Sequence, residues 1–268
     1  RIPVYNSSAP DRFVAGQLMA VSGPLARTID DIELGLDIMS SRDVRDPWWF
    51  PTPSQQPPLS HKVALCMNTE EWAVTPTVKE TVHRAAEALS DAGWQVEEKT
   101  CPSIRCAADM NLALWMAEME AAGGRKLVSQ ENDPDANLIF ERLLKKTHPL
   151  TASDLLQIIQ ARAGLVREWQ LLLNDYPVIL CPVSGCEPFN AQKDVGSEKD
   201  FDSIIEAQLF QIGLPVLGLP ALAVAREKVN QLPTGVQLVG QRFREDHIIK
   251  AGKVLELGLK SPGFEYTT

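Results

Sequence analysis

Several functional classes are excluded by what the sequence lacks. No run of about 18 apolar residues occurs, so no membrane-spanning helix is encoded and no membrane partner is expected. Lys and Arg total 26 against 35 acidic residues, a net charge of −9. They do not cluster beyond pairs such as Lys145-Lys146, so the basic footprint of a nucleic-acid binder is missing. Cysteine is sparse: Cys66, Cys101, Cys106, Cys181 and Cys186, with no Cys-x-x-Cys and no zinc-clip spacing. These read as buried thiols of a reducing cytoplasm, with no metal. There is no Gly-x-Ser-x-Gly, and Gly213 to Gly218 lacks the Lys-Ser/Thr of a phosphate loop. Neither Ser22, Ser184, Cys181 nor Cys186 finds a histidine in a triad pattern. His83 falls inside a helix and His247 near a helix start, where surface or capping roles are expected. The paired carboxylates Asp30-Asp31, Glu70-Glu71 and Glu97-Glu98 are sequence neighbours that read as solvated faces. Arg1 to Tyr5 carry no apolar leader. A first residue other than Met gives the expectation of a truncated, processed or partly unobserved chain.

What is present is a globular composition, 44% hydrophobic and 23% charged over 268 residues. Thr28 with Asp31 predicts a capped helix over 28–40. Residues 46–58, rich in Pro, Trp, Ser and Gln, read as a surface crossover. Residues 62–67 read as a buried strand. Thr75-Pro76 opens a helix that Gly93 ends, and 94–98 alternate as a strand. A strand–helix–strand unit of this kind predicts a parallel crossover. Further helices are expected over 104–122, about 137–147, 151–174 (with Asp154 in a capping box), 203–211 and 244–259. The segment 129–137 reads as a turn and 187–200 as a polar loop. Strands are expected at 176–182, 221–225 and 234–240, the last two split by a polar hairpin loop over 227–232. The class is α/β: a mixed, mainly parallel sheet with helices on both faces.

Two blocks near the C-terminus are the most specific. Gly218-Leu219-Pro220-Ala221 is followed by Leu232-Pro233-Thr234-Gly235-Val236-Gln237-Leu238-Val239-Gly240. Gly23-Pro24-Leu25-Ala26-Arg27-Thr28, with Asp31, and Asp175-Tyr176 before Leu180-Cys181-Pro182 add to them. Together these resemble the C-terminal portion of the amidase signature family, hydrolases of carboxamides with an α/β/α sandwich fold. The resemblance covers residues 1–268 as one portion of a single domain. The family's Lys, cis-Ser and nucleophilic Ser lie in a Gly/Ser-rich segment ahead of the Gly-Pro-Leu-Ala-Arg-Thr block, and no position here matches them. Ser7-Ser8 lack flanking glycines and read as a turn. No catalytic residue is therefore assigned, and the chain is expected to be inactive alone.

In that family's mechanism the Lys deprotonates the cis-Ser, the nucleophilic Ser forms an acyl-enzyme, and ammonia or an amine leaves. The resemblance implies a cytoplasmic hydrolase without cofactors, acting on a small-molecule amide. It implies an outer acyl-pocket wall drawn from Trp115, Met116, Met119, Val183, Ser184 and Gln208. Val183 stands where the family has a small hydroxyl residue. Gly218 and Pro220 are expected at a tight turn before a central strand, and the glycine of Gly213-Leu214-Pro215 at a second turn. The expected partner is the missing N-terminal segment, bordering the 234–240 strand and the 28–40 helix. Failing that segment, the chain is expected to self-associate. The alternative readings are a non-catalytic α/β scaffold and an amidotransferase A-type subunit.

Overall fold

The computed structural model describes residues 2, 12–51, 57–67, 71–229 and 232–257. Ser7-Ser8 lie outside them. After the short α1 (Val14–Met19), Thr28 caps α2 (Ile29–Met39), its hydroxyl oxygen accepting the Asp31 N–H at 3.1 Å. β1 (Lys62–Leu65), α3 (Pro76–Asp91) and β2 (Gln95–Glu98) form the expected crossover, with β1 and β2 parallel. α4 (Ile104–Ala121) follows, then α5 (Gly124–Gln130) and α6 (Pro134–Lys145). α7 (Ala152–Asp175) starts at a complete capping box: the Thr151 hydroxyl accepts the Asp154 N–H, and the Asp154 carboxylate accepts the Thr151 N–H. β3 (Val178–Pro182), α8 (Glu198–Ala207), α9 (Leu209–Leu217), β4 (Ala221–Val229), β5 (Leu232–Gly240) and α10 (Glu245–Leu257) complete the order.

Five strands make one sheet in the order β2-β1-β3-β5-β4. β1 lies parallel to β2 and β3, while β5 is antiparallel to β3 and β4. The sheet is therefore mixed, its parallel half made by strands separated by helices and its antiparallel half by a hairpin. α3 and α10 pack on one face. Thr81 of α3 meets Thr234, and Ile248 and Gly252 of α10 sit against Gly240 and Leu222. α4, α7 and α9 pack on one another in a second helical group.

The structure departs from the sequence expectations at several places. Only residues 131–133 hold the turn, with α5 over 124–130 before it and α6 from 134 after it: Gly123 takes φ 75° and redirects the chain into a new helix. The polar stretch 227–232 is largely strand, with β4 and β5 paired out to Val229 and Leu232 past a register shift at Ala225/Glu227. α8 begins at Glu198, because Ser197 and Asp200 form a second capping box. Gly213 is not at a turn but inside α9, where a Cβ would stand 2.8 Å from Ile104 Cδ1; the glycine lets α9 press onto α4. The strand over 234–240 is not at a border, since β5 is paired on both sides. Among the described residues the free edges are β2 and β4.

The core runs through Val63, Val178, Ile179, Leu180, Val236, Leu238, Trp169 and Phe210, all 0% exposed. β4 differs. Leu222 and Val224 are buried, whereas Ala221, Ala223 and Ala225, on its other face, are exposed. Leu34 and Ile38, one turn apart on α2, are 61% and 66% exposed. The cysteine expectation holds for Cys66, Cys101 and Cys181, while Cys106 is exposed and Cys186 half-buried; all five are free thiols. His247 is buried rather than at the surface, its Nε2 3.1 Å from the Ser60 carbonyl.

Candidate functional site

Parallel strands aim their C-terminal ends at one crevice, and loops there carry chemistry in open α/β sheets. Here the loops after β1 and β3 meet the junction of α8 with α9. Gly185 donates its N–H to the Ala207 carbonyl at 2.7 Å, and the Ser184 hydroxyl donates to the same oxygen at 3.3 Å. Thr75, the α3 cap, donates its N–H to the Gly185 carbonyl at 2.8 Å and its hydroxyl to Glu187 Oε2 at 3.1 Å. Hydrogen bonds from Thr77 and then from the backbone hold the Glu187 carboxyl below its ordinary range. Beneath this loop the buried Trp72 ring lies 5.3 Å from Phe210, tilted by 49°, and its Nε1–H donates to the Met67 carbonyl at 2.7 Å.

One wall is the start of α4. Glu71 accepts the N–H groups of Ile104 (3.1 Å) and Arg105 (3.3 Å), placing a carboxylate at the positive end of that helix. Arg105 forks onto both Glu206 oxygens at 3.0 and 2.7 Å, tying α4 to α8. Partial desolvation by the surrounding chain raises the neighbouring Asp109 carboxyl and Cys106 thiol, although both residues reach the surface. The Cys186 thiol is also raised by burial, which keeps it protonated at neutral pH.

The expected pocket residues fall into two groups. Ser184 reaches the carbonyl of Ala207, the residue before Gln208, and Val183 adjoins Ser184 in the chain. The Gln208 side chain is partly buried and makes no hydrogen bond among the described residues, so its amide donors and acceptor are unspent. Trp115, Met116 and Met119 lie further along α4, beyond Asn111, whose Nδ2 donates to the Ile212 carbonyl of α9 at 2.5 Å. Met116 is buried and Trp115 packs against the core. No hydrogen bond or ring contact among the described residues joins these three to Ser184 or Gln208. Trp72 and Phe210 were not singled out from the sequence. A Trp between a strand end and a Thr-Pro helix start was the available signal for the first. Among the described residues no group of three or more His, Cys, Asp or Glu could hold a metal.

Gly218 ends α9 with φ 62°, a left-handed cap that glycine adopts at no steric cost, and Leu219-Pro220 lead from it into β4. The following strand is at the sheet edge rather than its centre.

Comparison with known proteins gives concordant results. Two indoleacetamide hydrolases, from Bradyrhizobium japonicum and Bradyrhizobium diazoefficiens, are 34% and 32% identical over 266 residues, each across 96% of this chain. The chain covers 56% and 49% of them, about half the length of the curated relatives it matches. Among solved structures, a bacterial aryl acylamidase of the amidase signature family superposes with a TM-score of 0.74 at 18% identity, over 96% of this chain and 56% of that one. The glutamyl-tRNA(Gln) amidotransferase A-type subunit of Thermotoga maritima gives a TM-score of 0.67 at 20% identity, over 87% and 52%. The profile of the amidase family matches residues 8–249, most of the sequence. The chain belongs to the amidase family.

Proposed function

We propose that this chain forms one half of a carboxamide hydrolase acting on an arylacetamide of the indoleacetamide kind. The observation that carries this reading is identity above 30%, sustained along nearly the whole chain, to two indoleacetamide hydrolases. The reaction adds water across the C–N bond of a primary amide and releases a carboxylic acid and ammonia. In this reading the chain supplies scaffold and the outer acyl-pocket wall. Gln208 and Ser184 offer polar contacts above a Trp72–Phe210 floor suited to a flat ring, and Trp115, Met116 and Met119 extend the apolar side. The Lys and two Ser of the family's triad come from a partner segment, which covers the alanine face of β4 and the Leu34/Ile38 stripe of α2. The enzyme works in the cytoplasm without a cofactor.

Ammonia release from indole-3-acetamide tests this. The chain alone gives none. Joined to the segment bearing the triad, it turns over at about 1 s⁻¹ or faster, as enzymes typically do. Turnover by the chain alone, abolished by a serine-directed reagent, would overturn the division of labour. Failure of the completed protein on any arylacetamide would overturn the substrate class. A role within an amidotransferase is the second reading, and the lower identity to the A-type subunits, for example 27% to that of a Picosynechococcus species, disfavours it. Glutamine in place of the arylacetamide separates the two.

A further inference from the structure

Two arginines from distant parts of the chain converge on the end of α9. Arg162, in α7, donates its Nε–H to the Val216 carbonyl at 2.6 Å. Arg242, just past β5, donates Nη2–H to the Leu217 carbonyl at 2.9 Å and Nε–H to that of Gly218 at 3.2 Å. Both side chains are partly buried. A point one Cβ bond from Gly218 lies 3.1 Å from Arg242 Nη2 and 3.7 Å from Arg162 Nη2, so the two guanidinium tips flank one small volume.

No carboxylate among the described residues stands within ion-pair distance of either arginine, in a chain with 35 acidic residues. Their only described hydrogen-bond partners are three backbone carbonyls. A helix C-terminus carries roughly half a negative charge, which leaves an excess of about one and a half positive charges at this spot. Each guanidinium has five N–H donors, and most remain unspent after the three bonds to α9. One arginine suffices to cap a helix end. A second like charge, partly removed from water beside the first, is unfavourable unless an anion neutralises the pair. Burial, and for Arg162 the nearness of Arg242, moves both guanidinium groups below their ordinary range.

We propose that Arg162 and Arg242 form a binding site for a small oxyanion, a carboxylate or a phosphate, at the C-terminal end of α9. The guanidinium forks suit either planar or tetrahedral oxygens. This site is separate from the crevice, because Gln208 and Gly218 stand at opposite ends of α9, about 15 Å apart at about 1.5 Å per residue.

Calorimetric titration with inorganic phosphate, and separately with acetate, at an ionic strength held constant with chloride, tests the proposal. Saturable one-to-one binding of at least one of them is expected. Binding of both assigns the site to oxyanions in general, whereas binding of one alone assigns it to that geometry. Arg162→Gln and Arg242→Gln should each weaken binding about tenfold or more, the usual cost of a charged hydrogen bond. Arg162→Lys and Arg242→Lys should keep part of it. Melting curves without added anion show which variants fold. If Arg242→Gln does not, the unaltered protein and Arg162→Gln decide. No saturable binding of either anion up to about 10 mM, already very weak on the affinity scale, overturns the proposal. So does unchanged affinity in a folded Arg162→Gln protein.

Discussion

The two halves of the sheet are finished to different standards. β1 and β3 are closed on both faces, with Val63, Ala64, Val178, Ile179 and Leu180 all at 0% exposure. In the hairpin half, α10 seals one face through Leu222, Val224 and Leu238, while Ala221, Ala223 and Ala225 face outward and β4 has no neighbour on its outer side among the described residues. Gln237, opposite Ala223, has a buried Oε1 with no hydrogen-bond partner among them. Exposed strand edges recruit pairing partners, and a buried unpaired carbonyl oxygen costs free energy. The contrast is one of coverage: β1 and β3 are sealed on both faces, whereas β4 leaves an alanine face and an edge uncovered among the described residues.

Substitutions can break or sharpen this contrast. The largest effect is expected in the closed half. Leu180→Ala removes a fully buried side chain from β3 and should cost about 2–5 kcal/mol in chemical denaturation. A loss under about 1 kcal/mol would mean that this half is not the rigid one. At the entry to the hairpin half, Gly218→Val forces a branched side chain to φ 62° and should lower stability by more than about 1 kcal/mol. A neutral melting temperature would count against the turn.

A smaller effect is expected from pH. Burial holds His247, on the α10 lid, below its usual value near 6.5. The unfolded chain therefore binds this proton more readily than the folded one. The stabilising contribution of the neutral ring is intact above about pH 6.5 and is lost as pH falls below it, by no more than about 1.4 kcal/mol per unit. His61, Asp246 and Arg244 are the charged or titratable groups acting on it. Urea melts between pH 7 and 5 should show a shallower dependence in His247→Gln, and identical slopes would remove His247 as the cause. The smallest effect is expected on the open face. Ala223→Lys should leave the stability of the chain within about 0.5 kcal/mol, as exposed positions do, while blocking association with the triad-bearing segment in a pull-down. A large loss of stability would show that the alanine face is already covered.

Local capping chemistry made much of this legible in the sequence. Thr28, Thr75 and Thr151 mark helix starts because each hydroxyl accepts an N–H that the helix itself leaves unpaired. The crossover at β1–α3–β2 followed from strand-length apolar runs around a capped helix. What stayed hidden depends on distant partners. Gly123-Gly124 reads as an end, yet one positive φ turns it into a joint between two helices. α9 contains Gly213 and Pro215, which signal a turn until α4 is placed against it. The position of β5 within the sheet is a matter of pairing, which periodicity does not encode. The site was legible to the same degree: Val183 and Ser184 follow a strand end, a local fact, whereas Trp72 and Phe210 meet only through the tertiary fold.

α9 has a consequence for how the molecule comes to be. Gly and Pro are the poorest helix formers, so this segment has little tendency to coil by itself and needs the α4 surface as a template. The expectation is that the α8–α9 junction around Gln208 orders only after α4 has docked. Substitutions in α9 such as Leu214→Ala should speed unfolding while leaving the folding rate nearly unchanged in stopped-flow measurements. A slowed folding arm would place this helix in the nucleus instead. A chain assembled in this order keeps its candidate site unformed until the scaffold that must carry it is already in place.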